Sequence, residues 1–224
     1  MRIRPARTAT AALLLLTLTT GCAGASGQGT AALGAGKKHP PRTRPTDRAP
    51  GTSIPTGPGP QKKYTVQQQP APGTCHFRHT SGGEPLQDPS CTPGALNPDV
   101  TQATLARTIC RPSGYTKGIR PPVSVTGPEK TANARSYGYT GDPHDAEYDH
   151  LVSLELGGDP NDPRNLWVEP PSPGHRPGGG PNNPKDVVES KLHTAICSGT
   201  VTLGAAQQAI VTDWTTALTR LGVN

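Results

Sequence analysis

The stretch EYDHLVSLELGGDPNDPRNLWVEP, residues 147 to 170, constrains the fold more than any other part of the chain. An apolar run over 148–155 is followed by Gly157-Gly158, by Asp-Pro-Asn-Asp-Pro, and by a second run, LWVEP. Glycine, asparagine, aspartate and proline between two strand-forming runs read as a hairpin turn. Asp149 and His150 sit in the first run. They are either the polar edge of a hairpin or half of a metal-assisted active site.

Helical spacing appears on both sides of the hairpin. NPDVTQATLARTIC predicts a helix over 98–109, with Asn97 as its cap and Val100, Leu105 and Ile109 on its apolar side. SGYTKGIRPPVS reads as a loop and extended segment, and residues 129–137 as a helical turn or two. Residues 171–184 are loop. KDVVESKLHTAIC predicts a helix over 185–197, with Val188, Leu192 and Ile196 spaced by four. A last helix over 202–220 carries Ala206, Ile210, Trp214 and Leu218 at the same spacing. Trp167 and Trp214 are expected in the core, and His76 and His79 at the surface.

The N-terminus places the chain outside the cytoplasm. Arg2, Arg4 and Arg7 lead a short apolar run that ends in Thr20-Gly21-Cys22. This resembles a bacterial lipoprotein signal over 1–21, which implies that Cys22 is lipidated and ties the chain to the membrane; an ordinary cleaved secretory signal is the alternative. Four cysteines then remain: Cys75, Cys91, Cys110 and Cys197. An even number outside the cell suggests disulfides, and no CxxC pair suggests structural zinc. Of the three pairings we favour Cys75–Cys91, a local loop, and Cys110–Cys197, which joins an early helix to a late one. Residues 22–73 have few large apolar side chains and read as a disordered, basic Pro/Gly/Thr-rich tether. One domain, 74–224, follows. Ten of the 22 basic residues precede Cys75 against one acidic residue, so the chain from Cys75 onward carries 12 basic and 15 acidic residues. The formal charge of +6 therefore belongs to the leader and tether, and is no sign of a basic nucleic-acid groove on the domain.

Asp149-His150-Leu151, Gly157-Gly158, Asn165-Leu166 and Asn182-Asn183-Pro184-Lys185 occur in an order that resembles the HNH nucleases of the ββα-metal, or His-Me finger, class. More narrowly, the chain resembles exported bacterial proteins with a DHLxxLELGG…NLW core. The resemblance implies an α+β domain: a small ββα-metal core over 147–197, flanking helices and stabilising disulfides. It implies a monomeric, metal-dependent endonuclease, acting on nucleic acid, DNA above all, and either lipid-anchored outside the membrane or secreted. His150 would be the general base, a role suited to its ordinary pKa of about 6.5. Asp149 would ligate one divalent ion, Mg²⁺ before Mn²⁺, Ni²⁺ or Zn²⁺. Asn182 would be the second ligand, with Asn183 or His193 as alternatives. Asn165 would brace the His150 loop by hydrogen bonding, and Lys185 would contact phosphate. Successive strand residues face opposite ways, so Asp149 and His150 converge only if the strand is bent or bulged.

The bland readings are that Asn182 or Asn183 merely caps a helix and that His193 is a satisfied surface histidine. A non-catalytic surface lipoprotein module on the same fold, binding wall polymer or a protein partner, is the rival function. The absence of GxSxG and HExxH motifs leaves a peptidase or other hydrolase unsupported.

Overall fold

The computed structural model describes residues 53–112 and 114–224. The leader, Cys22 and the tether up to residue 52 lie outside the described residues. What is described is a mixed helix and strand domain. Its centre is β3 (Glu147–His150) paired antiparallel with β4 (Leu166–Glu169), register Glu147↔Glu169 to His150↔Leu166. A two-residue pair, β1 (Arg78–His79) and β2 (Pro85–Leu86), forms the other sheet. The helices are α1 (Tyr115–Ile119), α2 (Val123–Ser136), α3 (Lys185–Cys197), α4 (Leu203–Asp213) and α5 (Ala217–Leu221).

The turn between β3 and β4 explains the double glycine. Leu154–Leu156 forms one 3-10 turn, which Gly157 ends with φ +79°. A Cβ on Gly158 would lie 1.7 Å from the Val152 carbonyl oxygen, so no side chain fits there. The apolar run expected to be strand over 148–155 therefore pairs only through His150 before turning.

Two clusters bury the apolar side chains. Leu192 and Ile196 of α3 pack with Ala206 and Ile210 of α4, Trp214, Val152 and Leu156. Trp167, Tyr137, Leu151 and Ala146 form the second cluster, with Phe77 stacked on Tyr137 at 4.8 Å between centroids. Both tryptophans are core, as their context suggested. His76 and His79 are exposed.

Helix α3 has the limits its periodicity predicts. The last helix breaks at Asp213, where the extended backbone lets the side chain accept from Thr215 N. The expected helix over 98–109 is instead a chain of turns with one 3-10 segment, Leu105–Arg107. Its hydroxyls and amides compete for the backbone: Asn97 Oδ1 accepts from Asp99 N, and Thr104 Oγ1 accepts from Thr101 N and donates to the Asp99 carbonyl. Val100 and Ile109 still reach the core. Helix α2 is longer than its sequence suggests, because its buried side is polar: Glu129, Asn133 and Ser136 join Val125 there.

That polar side corrects the tether. Residues 53–73 are a strap laid on the domain. Gln67 N donates to Glu129 Oε1 (2.7 Å), Asn133 Nδ2 to Gln69 Oε1 (2.9 Å), and Ser136 Oγ to the Pro70 carbonyl. Gly59 N donates to buried Asp159 (2.6 Å) and Asn161 Nδ2 to the Thr65 carbonyl (3.0 Å). Polar contacts hold the strap, so poverty in apolar residues does not make it disordered.

Both disulfides form as the preferred pairing has them. Cys75–Cys91 closes a separation of 16 residues, and Cys110–Cys197 one of 87.

Candidate active site on the hairpin and helix α3

The order β3, turn, β4, loop, α3 carries all the candidate residues. Asn165 opens β4 and is completely buried. Its Oδ1 accepts from Val152 N (3.0 Å) and Ala95 N, and its Nδ2 donates to the carbonyls of Val152 and Asp159, both at 3.0 Å. One amide thus clamps the segment after His150 to the loop that follows the glycines. This is the bracing geometry the sequence suggested for Asn165.

His150 closes β3 and is 6% exposed. Its Nε2 lies 3.0 Å from the Pro160 carbonyl oxygen. A carbonyl only accepts, so the proton sits on Nε2 and the lone pair on Nδ1. Burial pushes the imidazole down to about 4, against the Pro160 bond and the Asp149 charge, which favour protonation. The ring is therefore neutral at physiological pH, with Nδ1 able to accept a proton.

Asp149 serves a different neighbourhood. The ladder runs without a bulge through His150↔Leu166, so adjacent side chains turn to opposite faces. The Asp149 carboxylate meets Lys185 while the His150 ring meets Pro160. The bend that would bring the pair together is not there.

Lys185 corrects another expectation. Its side chain is fully buried and does not reach toward a substrate. Its ammonium donates to Asp149 Oδ2 (2.6 Å), to the His150 carbonyl (3.0 Å) and to Glu189 Oε1. Three protons meet three acceptors. Opposed charges at this range outweigh burial and hold the ammonium well above its usual range.

Glu147 and Glu169 were missed by the sequence reading, yet they share the Asp149 side of the hairpin. They face each other across the strands, a like-charge pairing that costs stability unless a cation or proton intervenes. Burial, then the Asp149 charge, pushes the Glu169 carboxyl well above the usual range, and the same causes raise Glu147. Burial likewise pushes Glu189 up to about 8 against the pull of Lys185. Asp149, Glu169 and Glu189 share one ammonium, with Glu147 opposite Glu169, and the surplus negative charge favours the protonated form of the glutamates. The signal available in the sequence was the i, i+2 spacing of Glu147 and Asp149, with a glutamate at the same strand end opposite.

Of the two loop asparagines, Asn183 faces this cluster. Its Nδ2 donates to Glu147 Oε2 (3.1 Å) and Glu169 Oε2 (3.4 Å), and its Oδ1 accepts from Lys185 N (3.0 Å), the first residue of α3. Asn182 is exposed and contributes its carbonyl to Ser172 N. His193, two turns further along α3, is away from Asp149. Its Nε2 donates to the Ile109 carbonyl (2.9 Å), 3.4 Å from Cys197 Sγ. Cys110, His193 and Cys197 bring three metal-type donors within 4.8 Å. That group has the chemistry to hold a metal ion, but both sulfurs are spent in the disulfide, so it would do so only when reduced.

Asp145 lies buried just before the hairpin. It accepts from Gly178 N (2.8 Å) and Gly180 N (3.0 Å), bonds that hold its carboxyl down at about 2, and so pins the glycine-rich loop that leads to Asn183.

No protein-family model, no curated protein and no solved structure matches the chain.

Proposed function

We propose that the domain is a divalent-metal-dependent endonuclease that hydrolyses nucleic-acid phosphodiester bonds outside the cytoplasm, built on a ββα-metal core. The observation that carries this reading is the Nε2–Pro160 hydrogen bond, which fixes His150 as a neutral imidazole with a basic Nδ1. Nδ1 takes the proton of the attacking water. An imidazole held at about 4 is a weak base on its own. The negative charge of a bound phosphodiester beside it favours the imidazolium and raises its affinity for that proton. Asn165 keeps the ring's support from shifting. The donor set on the α3 side fits a hard divalent ion: carboxylate oxygens in excess of the one ammonium. Asp149 and Glu169, with Glu147, would hold the ion, which when bound supplies charge relief on the phosphate oxygens.

Two observations favour the non-catalytic alternative: Lys185 already occupies Asp149 Oδ2, and His150 is nearly enclosed. Plasmid cleavage by the exported chain with Mg²⁺, Mn²⁺, Ni²⁺ or Zn²⁺, chelator and His150→Ala as controls, decides between them. Chelator-sensitive cleavage lost in His150→Ala supports the nuclease. No cleavage with any ion leaves the binding module.

The two disulfides suit an oxidising, extracytoplasmic compartment, and among the described residues no helix is long and apolar enough to cross a membrane. We further propose a lipid anchor at Cys22. Cys22→Ser should then leave the membrane fraction while wild type resists a high-salt wash; equal release of both refutes the anchor.

A further inference from the structure

With Lys185 internal, a phosphate contact has to come from another residue. A polar cleft of about 330 Å³ lies beside the carboxylate cluster, between α1, the segment after β3 and the first turns of α3. Its walls include Thr116, Arg120, Ser153 and Ser190, with Glu155, Asp186 and Glu189. Arg120 is the cation of this lining. It follows α1, is exposed, and makes no hydrogen bond or ion pair with another described residue. It shares the cleft with Asp186 in the first turn of α3. Ser153, three residues after His150, is 8% exposed, and its Oγ is buried without a partner. A buried hydroxyl left unpaired is costly, and a ligand in the cleft would satisfy it.

We propose that this cleft is the phosphodiester-binding subsite of the domain, with Arg120 pairing the phosphate charge and the Ser153 hydroxyl donating to a phosphate oxygen. The proposal rests on the nuclease reading for its purpose, not for its geometry. The acidic residues set the class of ligand. Glu189 is paired with Lys185, and the Glu155 carboxylate accepts from Ser190 Oγ (3.4 Å), but Glu155 and Asp186 still repel a second negative charge. A single guanidinium among carboxylates suits a diester, which carries one negative charge, better than a terminal phosphate, which carries nearly two.

The test is binding of a fluorescent twelve-nucleotide thymidine strand to the full exported chain. It is done with Mg²⁺ in a His150→Ala background so that the probe is not consumed, with far-UV circular dichroism confirming the fold. Arg120→Ala should weaken binding about tenfold and lower the salt dependence by about one phosphate contact. Arg120→Lys should recover the salt dependence but only part of the affinity, and Ser153→Ala should weaken binding with the salt dependence intact. Lys191→Ala, a charge lost from the exposed side of α3, should change neither. Equal losses in Arg120→Ala and Lys191→Ala, no loss in Arg120→Ala, or no binding by the parent would overturn the subsite. Adding a 5′-phosphate to the strand should not tighten binding through Arg120; if it does, the cleft is a terminal-phosphate site and the diester assignment falls. Arg120-dependent binding by a chain that cleaves nothing would keep the subsite and remove the nuclease reading.

Discussion

Replacing His150 by glutamine tests the buried, neutral imidazole without any assay of activity. Gln can keep the bond to the Pro160 carbonyl through its amide but cannot titrate. In the folded chain burial pushes His150 down to about 4 from its ordinary 6.5. Between those values the unfolded chain binds a proton that the folded chain refuses. The stability contributed by His150 is therefore complete above pH 6.5 and is lost as pH falls through 4. A displacement of that size corresponds to roughly 3 kcal/mol. The raised carboxyls of Glu147, Glu169 and Glu189 act in the opposite sense, removing stability as pH rises above their ordinary value of 4.5. They are present in both proteins, so they largely cancel in the difference. Urea melts from pH 8 to pH 4, followed by the fluorescence of Trp167 and Trp214, give that difference directly. The stability of wild type minus that of His150→Gln should fall by roughly 3 kcal/mol on acidification. A flat difference would mean that His150 titrates as a solvated histidine, and the argument for a permanently neutral base would fail.

Lys185→Met should destabilise the domain by about 3–5 kcal/mol, because Asp149 and Glu189 are left buried and unpaired; adding Glu189→Gln should restore part of it in a double-mutant cycle. Gly158→Ala should cost more than the roughly 1–3 kcal/mol usual for overpacking, since its methyl would meet the Val152 carbonyl. By contrast, Gly204→Ala in α4, which meets nothing within 4 Å, should stabilise by about 0.4–1 kcal/mol in thermal melts. Removing the Cys110–Cys197 bridge by paired serine substitution should cost about 4–5 kcal/mol, and removing Cys75–Cys91 about 3 kcal/mol, in the chain-entropy account of loops separated by 87 and 16 residues. Denaturant midpoints of the two variants should keep that order.

Where burial is apolar, the sequence was readable. Helix α3 begins and ends where the spacing of Val188, Leu192 and Ile196 puts it. The hairpin sits on either side of Gly157 and Gly158 because the left-handed turn and the approach of the Val152 carbonyl are local demands. The bracing role of Asn165 was legible because an asparagine that opens a strand next to a tight turn has nearby backbone to satisfy. Where polar burial joins distant segments, the sequence was silent. Glu129, Asn133 and Ser136 look like a solvated face, yet they are the inner side of α2 and receive the strap.

By itself, then, the sequence determined the hairpin, the helix that follows it and the chemistry available to them, because turn conformation and apolar spacing act over a few residues. Only the tertiary structure decided that Lys185 lies inside the carboxylates, that Asn183 rather than Asn182 faces them, and that Asp149 and His150 turn apart. A charge or an amide is buried only where partners from distant segments converge on it. Those partners are Asp149 from β3 for Lys185, Glu147 and Glu169 for Asn183, and Pro160 from the turn for His150, and no local pattern reports their convergence.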